Sequence, residues 1–170
     1  MKCSEICALI EQEYGTEYAC DWDNVGLLAG RSTKEVKKIL LSLDATDEVV
    51  RMAAEGGYDM LITHHPMLFS AIKRVTDQDM NGRRLLELIR NDISYYAMHT
   101  NYDTRGMADL AARLMGLTEC AVLEEVKDGE GIGRVGKLPH PMTLRECGEQ
   151  VKVAYGIPNV RLFGDSDTQV

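Results

Sequence analysis

Two of the four histidines in this 170-residue chain are adjacent, in Thr63-His64-His65-Pro66. Neutral imidazole is a common ligand of first-row divalent metals. Adjacent side chains diverge along a strand, but where a strand unravels into a loop both can turn into one crevice. Pro66 keeps that exit extended by disfavouring helical geometry at His65. Divergent neighbours also suit two ions, one ligand for each. A second cluster is His99-Thr100-Asn101-Tyr102-Asp103. Here Asp103 offers a hard carboxylate oxygen, and His99 either a ligand nitrogen or a proton-transfer group. A third string, Asp21-Trp22-Asp23-Asn24-Val25-Gly26, supplies Asp23 and Asn24 as groups that could orient metal-bound histidines. Each string alone has an ordinary reading: surface loop histidines, an Asx turn, a core tryptophan. Together the clusters point to a divalent metal site, because neighbouring strands lie only about 5 Å apart.

The elements that must position these residues alternate. Ile6, Leu9 and Ile10 fall on one face of a helix from Ser4 to Tyr14, stopped by Gly15. The apolar run from Lys38 to Leu43 reads as a strand buried on both faces. Thr46 caps a helix closed by Gly56-Gly57, and Tyr58 to Thr63 is a second buried strand ending at the paired histidines. Leu85, Leu86 and Ile89 mark a helix, Ile93 to Met98 a strand ending at His99, and Leu110 and Leu114 a helix stopped by Gly116. This alternation predicts an α/β fold around a mostly parallel or mixed sheet, with ligands at the strand ends. The glycine-rich stretch Asp128 to Gly133 suggests a turn or a domain boundary. Beyond it, Thr143-Leu144-Arg145-Glu146 is a capping box, and Asn159 to Phe163 reads as a last strand. The expected organisation is a metal-binding α/β domain over 1–126 and an incomplete second α/β unit over 127–170.

Composition narrows the function class. A formal net charge of −8 opposes binding to a phosphate backbone, so nucleic acid is not an expected partner. No apolar run reaches the ~18 residues of a membrane span, and the N-terminus lacks a signal-like stretch, which together predict a cytoplasmic protein with no membrane partner. Five scattered cysteines form no disulfide framework. Cys3 and Cys7, one helical turn apart, read as buried small side chains. Gly129, Gly131 and Gly133 precede no helix start and read as a turn rather than a phosphate cradle.

The strings Asp21-Trp22-Asp23-Asn24-Val25-Gly26-Leu27, Leu43-Asp44-Ala45-Thr46, Ile62-Thr63-His64-His65-Pro66 and His99-Thr100-Asn101-Tyr102-Asp103, in this order, resemble the Nif-three-like family. Its members are also called GTP cyclohydrolase I type 2 homologs or dinuclear-metal-centre hexameric proteins. Gly131-Ile132-Gly133-Arg134-Val135-Gly136 is similar to the family pattern as well. The resemblance implies a toroidal homohexamer with two divalent ions per chain (Zn, Mn, Fe or Mg) facing an internal cavity. By that resemblance, His65 and Asp103 bind one ion and His64 the other. From its own chemistry, His99 is the candidate for proton transfer or substrate contact. Family members add a C-terminal Gly-His-x-x-x-Glu-like element whose His and Glu complete the centre, and these 170 residues hold no counterpart. The chain is then a fragment, or takes those ligands from another chain, or has lost the bimetallic function.

The implied activity is metal-dependent hydrolysis of a nucleotide or other small molecule by metal-activated water. The alternatives are a non-catalytic metal-binding scaffold or regulatory partner, and a metal-dependent phosphoesterase. With three protein ligands in hand, the expectation is one weakly held ion per chain. A calorimetric titration with Zn²⁺ or Mn²⁺ that returned two tight sites would overturn it.

Overall fold

The computed structural model describes residues 1–170, which form two compact units, Met1–Arg105 and Gly106–Val170. The boundary thus falls ahead of the expected 126/127 junction. The glycine-rich stretch expected there as a turn or boundary is the turn of a hairpin inside the second unit.

The first unit opens with helix α1 (Cys3–Glu13) and a 3₁₀ turn (Thr16–Tyr18). Four short strands follow: β1 (Gly26–Ala29), β2 (Ile39–Ser42), β3 (Met60–Thr63) and β4 (Ser94–Ala97). Helix α2 (Asp47–Glu55) lies between β2 and β3, and α3 (Met80–Arg90) between β3 and β4. The strands form one mixed sheet in the order β1-β4-β3-β2. β2, β3 and β4 run parallel, with Ser42 opposite Thr63 and Thr63 opposite Ala97. β1 runs antiparallel to β4, with Gly26 opposite Ala97.

Alternation along the central strands builds a core on each face. Leu61, Tyr95 and Ala97 pack with Val50 and Ala53 of α2 and Leu88 of α3. Met60, Ile62 and Tyr96 point the other way and pack with Cys3 and Cys7 of α1. Every residue of β3 and β4 is buried, as their apolar runs predict. β2 departs from that expectation, because it is the sheet edge and the α1-side core does not extend over it. Leu40 joins the α2/α3 core, whereas Leu41 on the other face is 72% exposed.

The helix signals hold at their ends. Thr46 Oγ1 accepts from Val49 N at 3.2 Å at the start of α2. A short helix α4 (Thr100–Tyr102) follows β4 and continues into a π-helical turn, Asp103–Met107. In the second unit, α5 (Ala108–Leu114) precedes the hairpin β5 (Thr118–Lys127) and β6 (Glu130–Lys137). The capping box at Thr143 and Glu146 opens α6 (Leu144–Tyr155), and Gly156 closes it in the left-handed region at φ 63°. The expected strand over Asn159 to Phe163 does not form; those residues are irregular, and nearby only Gln169 makes an isolated bridge, to Thr143. No helix is long and apolar enough to cross a membrane.

Asp59 locks the entry into β3. Its Oδ2 accepts from the backbone N–H groups of Lys37 and Lys38 at 2.8 and 2.9 Å. The Lys37 amide in particular holds this carboxyl below the usual range. A depressed folded-state pKa means stability that is present above the ordinary value of about 3.9 and lost as pH falls through the folded value. Asp59→Asn is expected to lower stability at neutral pH by about 1 kcal/mol and to make the acid limb of the urea-stability profile shallower.

Candidate metal centre

Strand direction gathers the site. The parallel strands β2, β3 and β4 release Asp44, His64-His65 and His99 at one edge of the sheet. The antiparallel β1 enters from that same edge, so Asp23 and Asn24, which precede it, are delivered there too. Two backbone bonds extend the register, His65 N to Leu43 O at 3.0 Å and Met98 N to Thr63 O at 3.0 Å, and Asp103 N to His99 O at 2.9 Å closes the helical turn after β4.

His64, His65 and His99 meet. One ring nitrogen from each lies within 4.8 Å of the other two, and the ring centroids of His99 are 5.2 Å from His64 and 5.6 Å from His65. Asp103 approaches one of them, its Oδ1 3.6 Å from His64 Nε2. The π-helical turn begins at Asp103, a backbone irregularity of the kind often found at functional sites. The nearest partner of Asp103 is therefore His64, where the resemblance groups it with His65.

Two of the imidazoles are held from behind by carboxylates. Asp23 Oδ1 lies 3.0 Å from His99 Nδ1, and Asp44 Oδ1 lies 2.8 Å from His65 Nδ1. An ionised carboxylate only accepts, so each Nδ1 carries the proton and each Nε2 keeps a free lone pair. Asp23 is fully enclosed and its oxygens are filled by four donors: His99 Nδ1, Asn24 N at 2.8 Å, and Thr100 N and Oγ1 at 3.0 and 2.5 Å. Burial pushes its carboxyl upward, and the bonds from Thr100, His99 and Asn24 outweigh that, leaving it below the usual range. Burial lowers His64 basicity, with Asp103 opposing and His65 and His99 reinforcing the shift, so the neutral imidazole is favoured. His64 Nδ1 is buried with no hydrogen-bond partner.

The orienting role expected of Asp23 is thus realised on His99. Asn24 does something different: its Nδ2 donates to the Leu68 carbonyl and ties the 21–24 loop to the segment after Pro66. Asp44 was given no role by sequence, because an Asp directly after a strand is also an ordinary turn former; its signal is its place beyond β2, level with His65. Trp22, expected in the core, is 60% exposed at the rim, 6.2 Å from the His99 ring.

Tyr95 sets the path of the His65 loop. Its hydroxyl is 2.9 Å from Thr63 Oγ1, accepts from Met67 N at 2.7 Å and donates to His65 O at 3.2 Å. A cavity of ≈ 370 Å³ opens beside His65, lined by Asp44, Thr46, Met67, Asn81 and Arg84 among others.

The family model described as Duf34/NIF3 (NGG1p interacting factor 3) matches residues 1–170. The chain belongs to this family. A "GTP cyclohydrolase 1 type 2 homolog" of Clostridium perfringens is 37% identical over 169 residues, covering 97% of this chain and 64% of that protein. Another from Clostridium acetobutylicum is 34% identical over 176 residues, covering 100% and 65%. The chain therefore spans just under two thirds of these NIF3 relatives. The crystal structure of a Staphylococcus aureus hypothetical protein superposes with a TM-score of 0.86 at 28% identity, over 100% of this chain and 69% of that one. A Bacillus cereus protein related to NIF3, 23% identical, shares the fold at a TM-score of 0.90, over 100% and 74%. The mixed α/β architecture expected from sequence is the NIF3 fold, and its histidine cluster could hold a metal ion.

Removing the Tyr95 hydroxyl leaves the part-buried Met67 N–H without this acceptor and loosens Thr63. Tyr95→Phe is expected to cost about 1–3 kcal/mol by urea denaturation. Near-zero cost would show that the His65 loop is held by its backbone alone.

Proposed function

We propose that the cluster binds a divalent cation through His64, His65 and Asp103, and that the loaded site hydrolyses a small, nucleotide-sized molecule. The observation that carries this reading is the convergence of three imidazoles, two pinned through Nδ1, on one point at the C-terminal edge of the sheet. Imidazole and carboxylate suit Zn, Mn or Fe. Donors sharing one tetrahedral ion at ordinary bond lengths stand ~3.4 Å apart, close to the 3.6 Å between His64 Nε2 and Asp103 Oδ1, and the His64 and His65 nitrogens lie within 4.8 Å of each other. The carboxylate behind His65 is the partner that a metal-binding histidine normally has.

A cation bound there supplies a Lewis acid that acidifies water near neutral pH. The remaining chemistry belongs to the chain. Asp23 keeps the proton on His99 Nδ1, so Nε2 is the basic atom offered to substrate or water, and His99 moves the proton. Asp44 fixes His65 by the same device. The cavity beside His65 is the space for a substrate, in the size range of small-molecule sites. Ring opening of a purine nucleotide is the reaction suggested by the names of the relatives, and a homohexamer is part of the same proposal.

The test combines metal titration with turnover of GTP. His64→Ala and Asp103→Ala are expected to weaken Zn²⁺ or Mn²⁺ binding at least tenfold and to abolish turnover. Asp44→Asn should weaken metal binding about 10- to 100-fold, the usual effect of losing an orienting carboxylate. His99→Gln should retain the ion and lose activity. Turnover unaffected by both His64→Ala and Asp103→Ala would remove the metal from the mechanism.

A further inference from the structure

Two large aromatic side chains stand in solvent at the rim of the histidine cluster. Trp22 is 60% exposed and Phe69 is 50% exposed. Their rings touch, with centroids 5.8 Å apart at 44°, and Trp22 sits edge-on to His99 at 6.2 Å and 74°. They come from loops distant in sequence, each anchored to the site. Asp23, next to Trp22, is held by His99 and Thr100, and Asn24 donates to the carbonyl of Leu68, next to Phe69. The anchors fix both backbones, so the rings are positioned before any ligand arrives, which lowers the ordering cost of binding.

We propose that Trp22 and Phe69 form a stacking surface that grips a flat heteroaromatic ring of nucleobase size, with the rest of the molecule directed at the histidine cluster. They are specificity-determining residues for the substrate of the site assigned above, and the proposal rests on that assignment for its orientation only. Stacking tolerates any base because every base has a π-face. The chain's net charge of −8 gives no electrostatic hold on a polymer of phosphates, which favours a free nucleotide over a strand.

Trp22 is the only tryptophan, so its fluorescence reports this surface directly. Metal-free protein is titrated with guanosine 5′-monophosphate, adenosine 5′-monophosphate, ribose 5-phosphate and a short single-stranded oligonucleotide. The expected result is saturable quenching by both mononucleotides and none by ribose 5-phosphate. Phe69→Ala is expected to weaken nucleotide binding about 10- to 100-fold, and Trp22→Phe, followed by calorimetry, to weaken it less than Trp22→Ala. Equal binding of ribose 5-phosphate, or no effect of Phe69→Ala, overturns the stacking role and leaves the hydrolytic reading standing. Tighter binding of the oligonucleotide, site for site, overturns the free-nucleotide assignment. A blue-shifted emission shielded from acrylamide in the free protein overturns the proposal, since the ring is then covered by another copy. Normal stacking with no metal-dependent turnover overturns only the hydrolytic reading.

Discussion

β2, β3 and β4 run parallel and β1 runs antiparallel beside β4, so three strands end and one begins at the same edge of the sheet. This constraint decides which residues can meet. Asp44, the two adjacent histidines and His99 leave their strands in register, and Asp23 arrives just before β1. A β1 of the opposite direction would deliver Asp23 to the far end of the sheet, a strand length of roughly 13 Å away. His99 would then lose the carboxylate that fixes its tautomer. The two buried central strands hold this register because each carries core on both faces.

Two of the polar groups behind the site, Asp23 and Tyr95, are closed to water and well hydrogen-bonded, which makes them stiff. Asp23 is enclosed yet ionised because four donors occupy its oxygens, a case in which complete hydrogen bonding offsets the cost of burying charge. Tyr95 does for the His65 loop what Asp23 does for His99: one buried oxygen ties Thr63, His65 and Met67 together. Both hubs lie behind the imidazoles and leave the Nε2 atoms of His65 and His99 unengaged. Rigid support with an open front is what a site needs to select one geometry of ligand.

What was legible in the sequence follows from how local each signal is. β3 and β4 stand out because burial on both faces demands unbroken apolar runs, and α2 and α6 because Thr46, Thr143 and Glu146 cap through contacts within three residues. β1 is four residues, Gly26–Ala29, hidden behind a polar loop. The hairpin β5–β6 carries mostly exposed residues, so Thr118–Lys127 shows no clean alternation. Asn159–Phe163 has the composition of a strand but no partner to pair with. His64, His65, His99 and Asp103 are legible because each follows a buried strand, whereas Asp23 is marked only by its acidic loop. Asp44 and the exposure of Trp22 are not legible, since both depend on which strands are neighbours and on which loops remain open.

The three imidazoles are not equivalent, and the difference bears on their roles. His65 and His99 each spend Nδ1 on a carboxylate, so each has one free nitrogen and can either bind an ion or exchange a proton, but not both at once. His64 has the reverse arrangement: its carboxylate, Asp103, faces Nε2 at 3.6 Å, while Nδ1 is buried without a partner. Burial favours the neutral ring, so that pair is not held by a full opposite charge on the imidazole. His64 Nε2 and the Asp103 carboxylate are thus a pair that a shared cation would suit better than they suit each other. His99, whose Nδ1 is held by the enclosed Asp23, keeps Nε2 open to exchange a proton.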